Sequence, residues 1–178
     1  MTRLKLYRII TNDIGDIAYF NPSIPINFAK NEDTSTPRIP CARTIYQCIM
    51  SAELTKLITV DDPVLDVYVY STIVNVEDIY EPTIAQVPDV WLSGELWLAE
   101  STLFVKEYNA KIRRHMNLPN CAYSRYSFIR EGSDEVVDRI QAAHIYGDQD
   151  SFSFIDLNPD RCLEALEYAE QHREEYEC

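Results

Sequence analysis

The sequence predicts an α+β fold, a mixed or antiparallel sheet with flanking helices, on three observations. Leu4-Lys5-Leu6-Tyr7-Arg8 alternates apolar and polar side chains, the period of a half-buried strand. Residues 65–74 are dense in β-branched and aromatic side chains, which fit a pleated surface. Ile45, Cys48, Ile49 and Ala52 recur at i, i+3, i+4 and i+7, the spacing of one buried helical face. With 178 residues and 46% apolar content, the expectation is a single domain with a sizeable core, which excludes a disordered tail.

The elements follow in order. The first strand runs from Leu4 to Ile10. Thr11 to Pro37 is rich in Asn, Asp, Pro, Ser and Thr and reads as an irregular crossing loop anchored by Phe20, Ile24 and Phe28. So long a loop is expected to cover something. Arg38 to Ala42 reads as a short extended piece. Thr44 then caps the backbone N–H of Gln47 while Gln47 reaches back, a capping box that starts a helix. Residues 65–74 form a central strand; Leu92–Leu98 and Leu103–Ile112 continue the β pattern, parted by a turn at 99–102. Ser133 caps a helix in which Asp134 and Glu135 suit the N-terminal dipole and Val136, Val137, Ile140 and Ala143 form the stripe. Phe152–Leu157 is a short strand. Asn158 caps a last helix with Pro159 at its first position and Cys162, Ala165, Leu166 and Ala169 inward.

Sixteen basic and 29 acidic residues give a net charge of −13. That balance argues against direct, non-specific nucleic-acid binding, which depends on lysine and arginine displacing counterions. The charge is uneven: Lys106, Lys111, Arg113, Arg114, Arg125 and Arg130 make one cationic segment, whereas residues 131–178 are strongly acidic. The cationic segment can receive an anionic ligand or, more simply, the chain's own acidic end. The longest run without a charge, Ile17 to Ala29, contains two prolines and is too short to cross a bilayer. Five cysteines without a CxxC pair, and no long apolar stretch after the first residues, lead us to expect a cytoplasmic protein without a disulfide framework. His115, His144 and His172 are scattered, so no metal is expected. Four glycines leave no Gly-rich phosphate loop, and a P-loop or Rossmann enzyme is excluded.

Three pieces taken in order carry a resemblance: Leu6-Tyr7-Arg8-Ile9, Cys41-Ala42-Arg43-Thr44-Ile45, and Ser93-Gly94-Glu95-Leu96-Trp97-Leu98 followed by Thr102-Leu103-Phe104-Val105. Together they resemble the mono-ADP-ribosyltransferase fold, in which a strand ends in Tyr-Arg, a Ser-Thr-Ser-type strand runs into a helix, and a glutamate precedes a strand pair. The resemblance covers residues 4–112 and implies an ADP-ribosyltransferase-like core, with 113–178 as an α/β extension, partly helical, packed on it. It further implies NAD as substrate. Arg8 would then hold the pyrophosphate through a bidentate fork, and Glu95 would stabilise the oxocarbenium-like state as the nicotinamide–ribose bond breaks. Thr44 would brace the site, and Tyr7 or Tyr46 would stack on a planar ring. The acceptor would be water or an unknown macromolecule.

Each residue also has a plainer role. Arg8 suits a surface ion pair on a strand, Glu95 a solvated turn, Thr44 a helix cap whatever the function, and Trp91 and Trp97 a core or sheet face. Ser93 stands where arginine- and asparagine-modifying relatives carry Glu or Gln, which argues against that kind of protein acceptor. A different class of function fits the acidity: a non-enzymatic interaction protein, presenting carboxylates as a mimic of nucleic-acid phosphates in the manner of phage-type inhibitors.

Overall fold

The computed structural model describes residues 2–26, 32–52, 54–59, 61–88, 90–114, 123–132, 136–144 and 153–156. The chain divides into two compact units, residues 1–51 with 68–108, and residues 52–67 with 109–178. In chain order the first contains β1 (Arg3–Ile10), β2 (Ile17–Phe20), β3 (Ile39–Cys41), α1 (Ile45–Ser51), most of β4 (Val64–Asn75), β5 (Ile79–Tyr80), α2 (Val90–Ser93), β6 (Leu96–Leu98) and the start of β7 (Thr102–Arg114).

In this first unit β1 runs antiparallel to β4, with Leu6 opposite Thr72 and Arg8 opposite Tyr70. The sheet order begins β1-β4-β7, so β4, expected to be central, is an interior strand next to the edge strand β1. β2 lies antiparallel along the start of β7, so the long loop expected at Thr11–Pro37 in fact contains a strand. A second, three-stranded antiparallel sheet has the order β3-β6-β5. Leu6, Ala18, Tyr70 and Phe104 of the first sheet and Ile39, Cys41, Leu96 and Leu98 of the second form one buried cluster. Phe20 meets both Tyr70 and Phe104 edge-on, the favoured aromatic geometry. The other side of the β2–β7 pair differs. Ile17 and Tyr19, opposite Val105 and Leu103, are all exposed, which leaves an apolar stripe beside the outer edge of β2.

The second unit continues β7 into β8 (Tyr123–Arg130), β9 (Val136–His144) and β10 (Ser153–Asp156), each antiparallel to the one before. Ala110, Ile112, Tyr126 and Phe128 are buried in it. Lys111 pairs with Asp66 at 3.7 Å, so part of the cationic segment is neutralised locally. The expected helix after Ser133 is instead strand β9. Its stripe carries Val136, Val137 and Ile140, β-branched residues that lose side-chain freedom in a helix, and β8 and β10 pair with it on its two sides. Phe152–Leu157 holds the expected short strand, as β10. The helix expected from Asn158 lies outside the described residues.

Among the described residues helix is limited to α1, α2 and two 3-10 turns; the architecture is mostly antiparallel sheet rather than a sheet with flanking helices. The β pattern expected from Leu92 begins only at Leu96. Residues 90–93 make one helical turn, closed by Gly94 at φ +57° with its N–H on the Val90 carbonyl at 2.8 Å, a left-handed stop that glycine favours. No helix among the described residues is long and apolar enough to cross a membrane.

Candidate functional site

The end of β1, the residue after β3 and helix α1 meet at one point. Tyr7 and Ala42 exchange both backbone hydrogen bonds, at 2.8 and 3.0 Å, and the Cys48 thiol of α1 donates to the Tyr7 carbonyl at 3.0 Å. The capping box forms as its residue types require: the Thr44 N–H donates to Gln47 Oε1 at 3.2 Å, and the Gln47 N–H to Thr44 Oγ1 at 3.3 Å. Tyr7 lies beneath the Lys5 ammonium, 5.2 Å from its ring centre. The Tyr46 side chain lies outside the described residues.

Arg8 points the other way along the strand. Its Nη1 donates to the Pro40 carbonyl at 2.6 Å and its guanidinium sits 4.8 Å from the Phe20 ring. Its Nε is buried without a hydrogen-bond partner. Burial lowers the Arg8 pKa from its ordinary value, and the Glu95 charge is among those that raise it. Among the described residues Arg8 has no carboxylate within salt-bridge distance, so it is not the surface ion pair that a strand arginine commonly makes.

Glu95 follows Gly94 into β6 and is buried, with 6% of its surface exposed. A turn carboxylate would sit in water; this one is held. The Trp97 indole N–H, two residues on and on the same strand face, donates to Glu95 Oε1 at 2.6 Å. Arg38 Nε lies 3.8 Å from the same oxygen, and its guanidinium covers the Trp97 ring at 4.3 Å. Tyr80 of β5 stacks on Trp97, with ring centres 5.4 Å apart and planes 21° from parallel. Trp97 is therefore core, whereas Trp91 is partly exposed.

Glu95 also lines a cleft of about 200 Å³ whose walls include Arg43, Gln47, Glu81, Gly94 and Leu96. Arg43 and Glu81 form an exposed ion pair at 2.7 Å. Glu95 thus shares the cleft with Gln47, and through Gln47 with Thr44; among the described residues Arg8, Tyr7 and Thr44 are not part of the wall itself. β6 and β7, the strand pair that follows Glu95 in sequence, belong to different sheets.

Arg38 is the residue that sequence reasoning missed. It stands at the head of an extended apolar piece, where an arginine reads as the solvated start of a strand. The one available signal is Glu32, six residues before it and here its partner.

Comparison of the chain with protein-family models, with curated proteins and with solved structures returns no match.

Proposed function

We propose that the first unit binds NAD and acts as an ADP-ribosyltransferase-like protein, transferring ADP-ribose or releasing it to water. The observation that carries this is Glu95, the one buried carboxylate among the described residues, set in the wall of a cleft. A charge is costly to remove from water unless it is paired. A carboxylate kept in such a place can accept a hydrogen bond from a ribose hydroxyl and favour positive charge developing at the adjacent carbon. Arg8, a half-buried cation with an orphaned Nε, and Arg43 at the cleft supply donors suited to phosphate oxygens. The resemblance of the Tyr7-Arg8, Ala42-Arg43-Thr44 and Glu95 segments to that family points to the same substrate.

The test is calorimetry with NAD followed by an assay of nicotinamide release. Wild type binds NAD, Arg8→Lys binds it more weakly because a lysine cannot form the bidentate fork, and Glu95→Gln binds it nearly as well but consumes it roughly 10²-fold more slowly. Absence of binding by wild type at millimolar NAD refutes the assignment. Undiminished turnover by Glu95→Gln removes Glu95 from the chemistry.

A further inference from the structure

Arg38 is 1% exposed, and a buried guanidinium needs compensation on every side. It has it. Nη2 pairs with Glu32, Nη1 donates to the Asp33 carbonyl at 2.8 Å and the Thr36 carbonyl at 3.2 Å, and one face lies on Trp97. The remaining nitrogen, Nε, is buried, makes no hydrogen bond, and lies 3.8 Å from Glu95 Oε1. That is too long for a hydrogen bond, and the same oxygen accepts the Trp97 indole N–H at 2.6 Å. The cation thus acts on Glu95 in two ways: directly through its charge, and indirectly by fixing the plane of the ring that donates to it.

We propose that Arg38 is a positioning residue for Glu95, keeping the carboxylate charged and its Oε1 fixed on the Trp97 indole. The segment from Glu32 to Thr36, which grips the same guanidinium and is anchored by the Asp33 N–H on the Gln86 carbonyl at 2.8 Å, sets how firmly. The effect on Glu95 stands by itself; its consequence for turnover depends on NAD being the substrate. Other groups that act on Glu95 include Arg8 of β1, the Cys41 thiol of β3 and the Cys48 thiol of α1, and the Arg43–Glu81 pair lines the same cleft. Burial keeps both thiols neutral, so the cations beside Glu95 are the buried Arg38 and the half-buried Arg8.

The test needs no ligand. In the ¹⁵N-labelled full chain the two indole N–H resonances are told apart with Trp91→Phe, and that of Trp97 is followed through pH. The expected result is a step in its shift that reports Glu95 ionisation, vanishes in Glu95→Gln, and moves upward by about one pH unit or more in Arg38→Gln, the scale set by losing an adjacent arginine. Arg38→Lys, which keeps the charge, should reverse most of that movement and return the step toward its wild-type pH. If wild type shows no step above its acid unfolding, the appearance of one in Arg38→Gln is the same result. An unmoved step in folded Arg38→Gln overturns the proposal. Should that variant fail to fold, Glu32→Gln with Arg38→Met removes the cation together with its second carboxylate, and the same upward movement is required. Where wild type consumes NAD, Arg38→Gln should lower kcat with KM within about twofold; a rise in KM alone overturns the positioning role. A wild type inert toward NAD refutes the substrate and leaves the resonance result to be judged separately.

Discussion

Gly94→Ala tests how the cleft is built. Gly94 has φ +57°, and a Cβ placed there would lie 2.0 Å from Gln47 Nε2 and 2.6 Å from Gln47 Cδ. Two costs follow. The left-handed backbone disfavours any Cβ by about 1–2 kcal/mol. Gln47 must also swing away, which breaks the bond its Oε1 accepts from the Thr44 N–H and gives up about 0.5–1 kcal/mol of helix capping. The total is roughly 2 kcal/mol, or a fall of about 4–8 °C in Tm for a chain of this size. Urea unfolding followed by tryptophan fluorescence is the suitable assay, because Trp91 and Trp97 both lie in the first unit. Gln47→Ala alone should cost only the cap. The double variant should cost about as much as Gly94→Ala alone, since the same cap is lost once in either case, giving a coupling of about 0.5–1 kcal/mol. Strict additivity, or a Gly94→Ala variant as stable as wild type, would refute the close approach of Gly94 to Gln47.

Trp97→Phe removes the N–H that holds Glu95 while leaving a ring under Arg38; losing one hydrogen bond to a charged group should destabilise the first unit by about 1.5–3 kcal/mol, and a loss below about 0.5 kcal/mol would mean that the bond contributes nothing net. Burial pushes the Cys41 thiol up to about 12 and raises that of Cys48 further, so in the native protein iodoacetamide at pH 8 should leave both unmodified, and peptide mass spectrometry should find them labelled only in urea. The same shifts give an alkaline dependence. A thiol that ionises near 9.0 when unfolded but only about 12 when folded favours the folded chain fully below 9.0, and that advantage is lost as pH rises from 9.0 toward 12. Cys41→Ala should flatten the stability decline over that window; an unchanged slope would contradict the burial of this thiol.

Legibility in the sequence followed the range of the interactions. β1, β4 and the capped start of α1 were readable because their determinants are local: an alternating pattern, a β-branched run, and a Thr and a Gln three apart. The segment after Ser133 failed because its apolar residues fit a helical stripe, and only pairing with β8 and β10 decides for a strand. β2 was hidden in a polar segment because four residues gain their order from β7, more than eighty positions away. At the site, Glu95 and Thr44 were picked out by motif. Their surroundings were not legible, since the Trp97–Arg38 stack joins β6 to the segment before β3 and nothing in either stretch names the other.

The apolar stripe of Ile17, Tyr19, Leu103 and Val105, beside an edge of β2 that pairs with no other strand among the described residues, bears on how the protein behaves in bulk. An open strand edge with exposed hydrophobic neighbours is a template for another chain, and here no proline or inward lysine of β2 blocks it. The net charge of −13 opposes such pairing, a repulsion that works over nanometres in dilute salt and shrinks with the screening length. That repulsion belongs to the acidic residues collectively, and acidification toward the isoelectric point near 4.5 withdraws it from every copy at once.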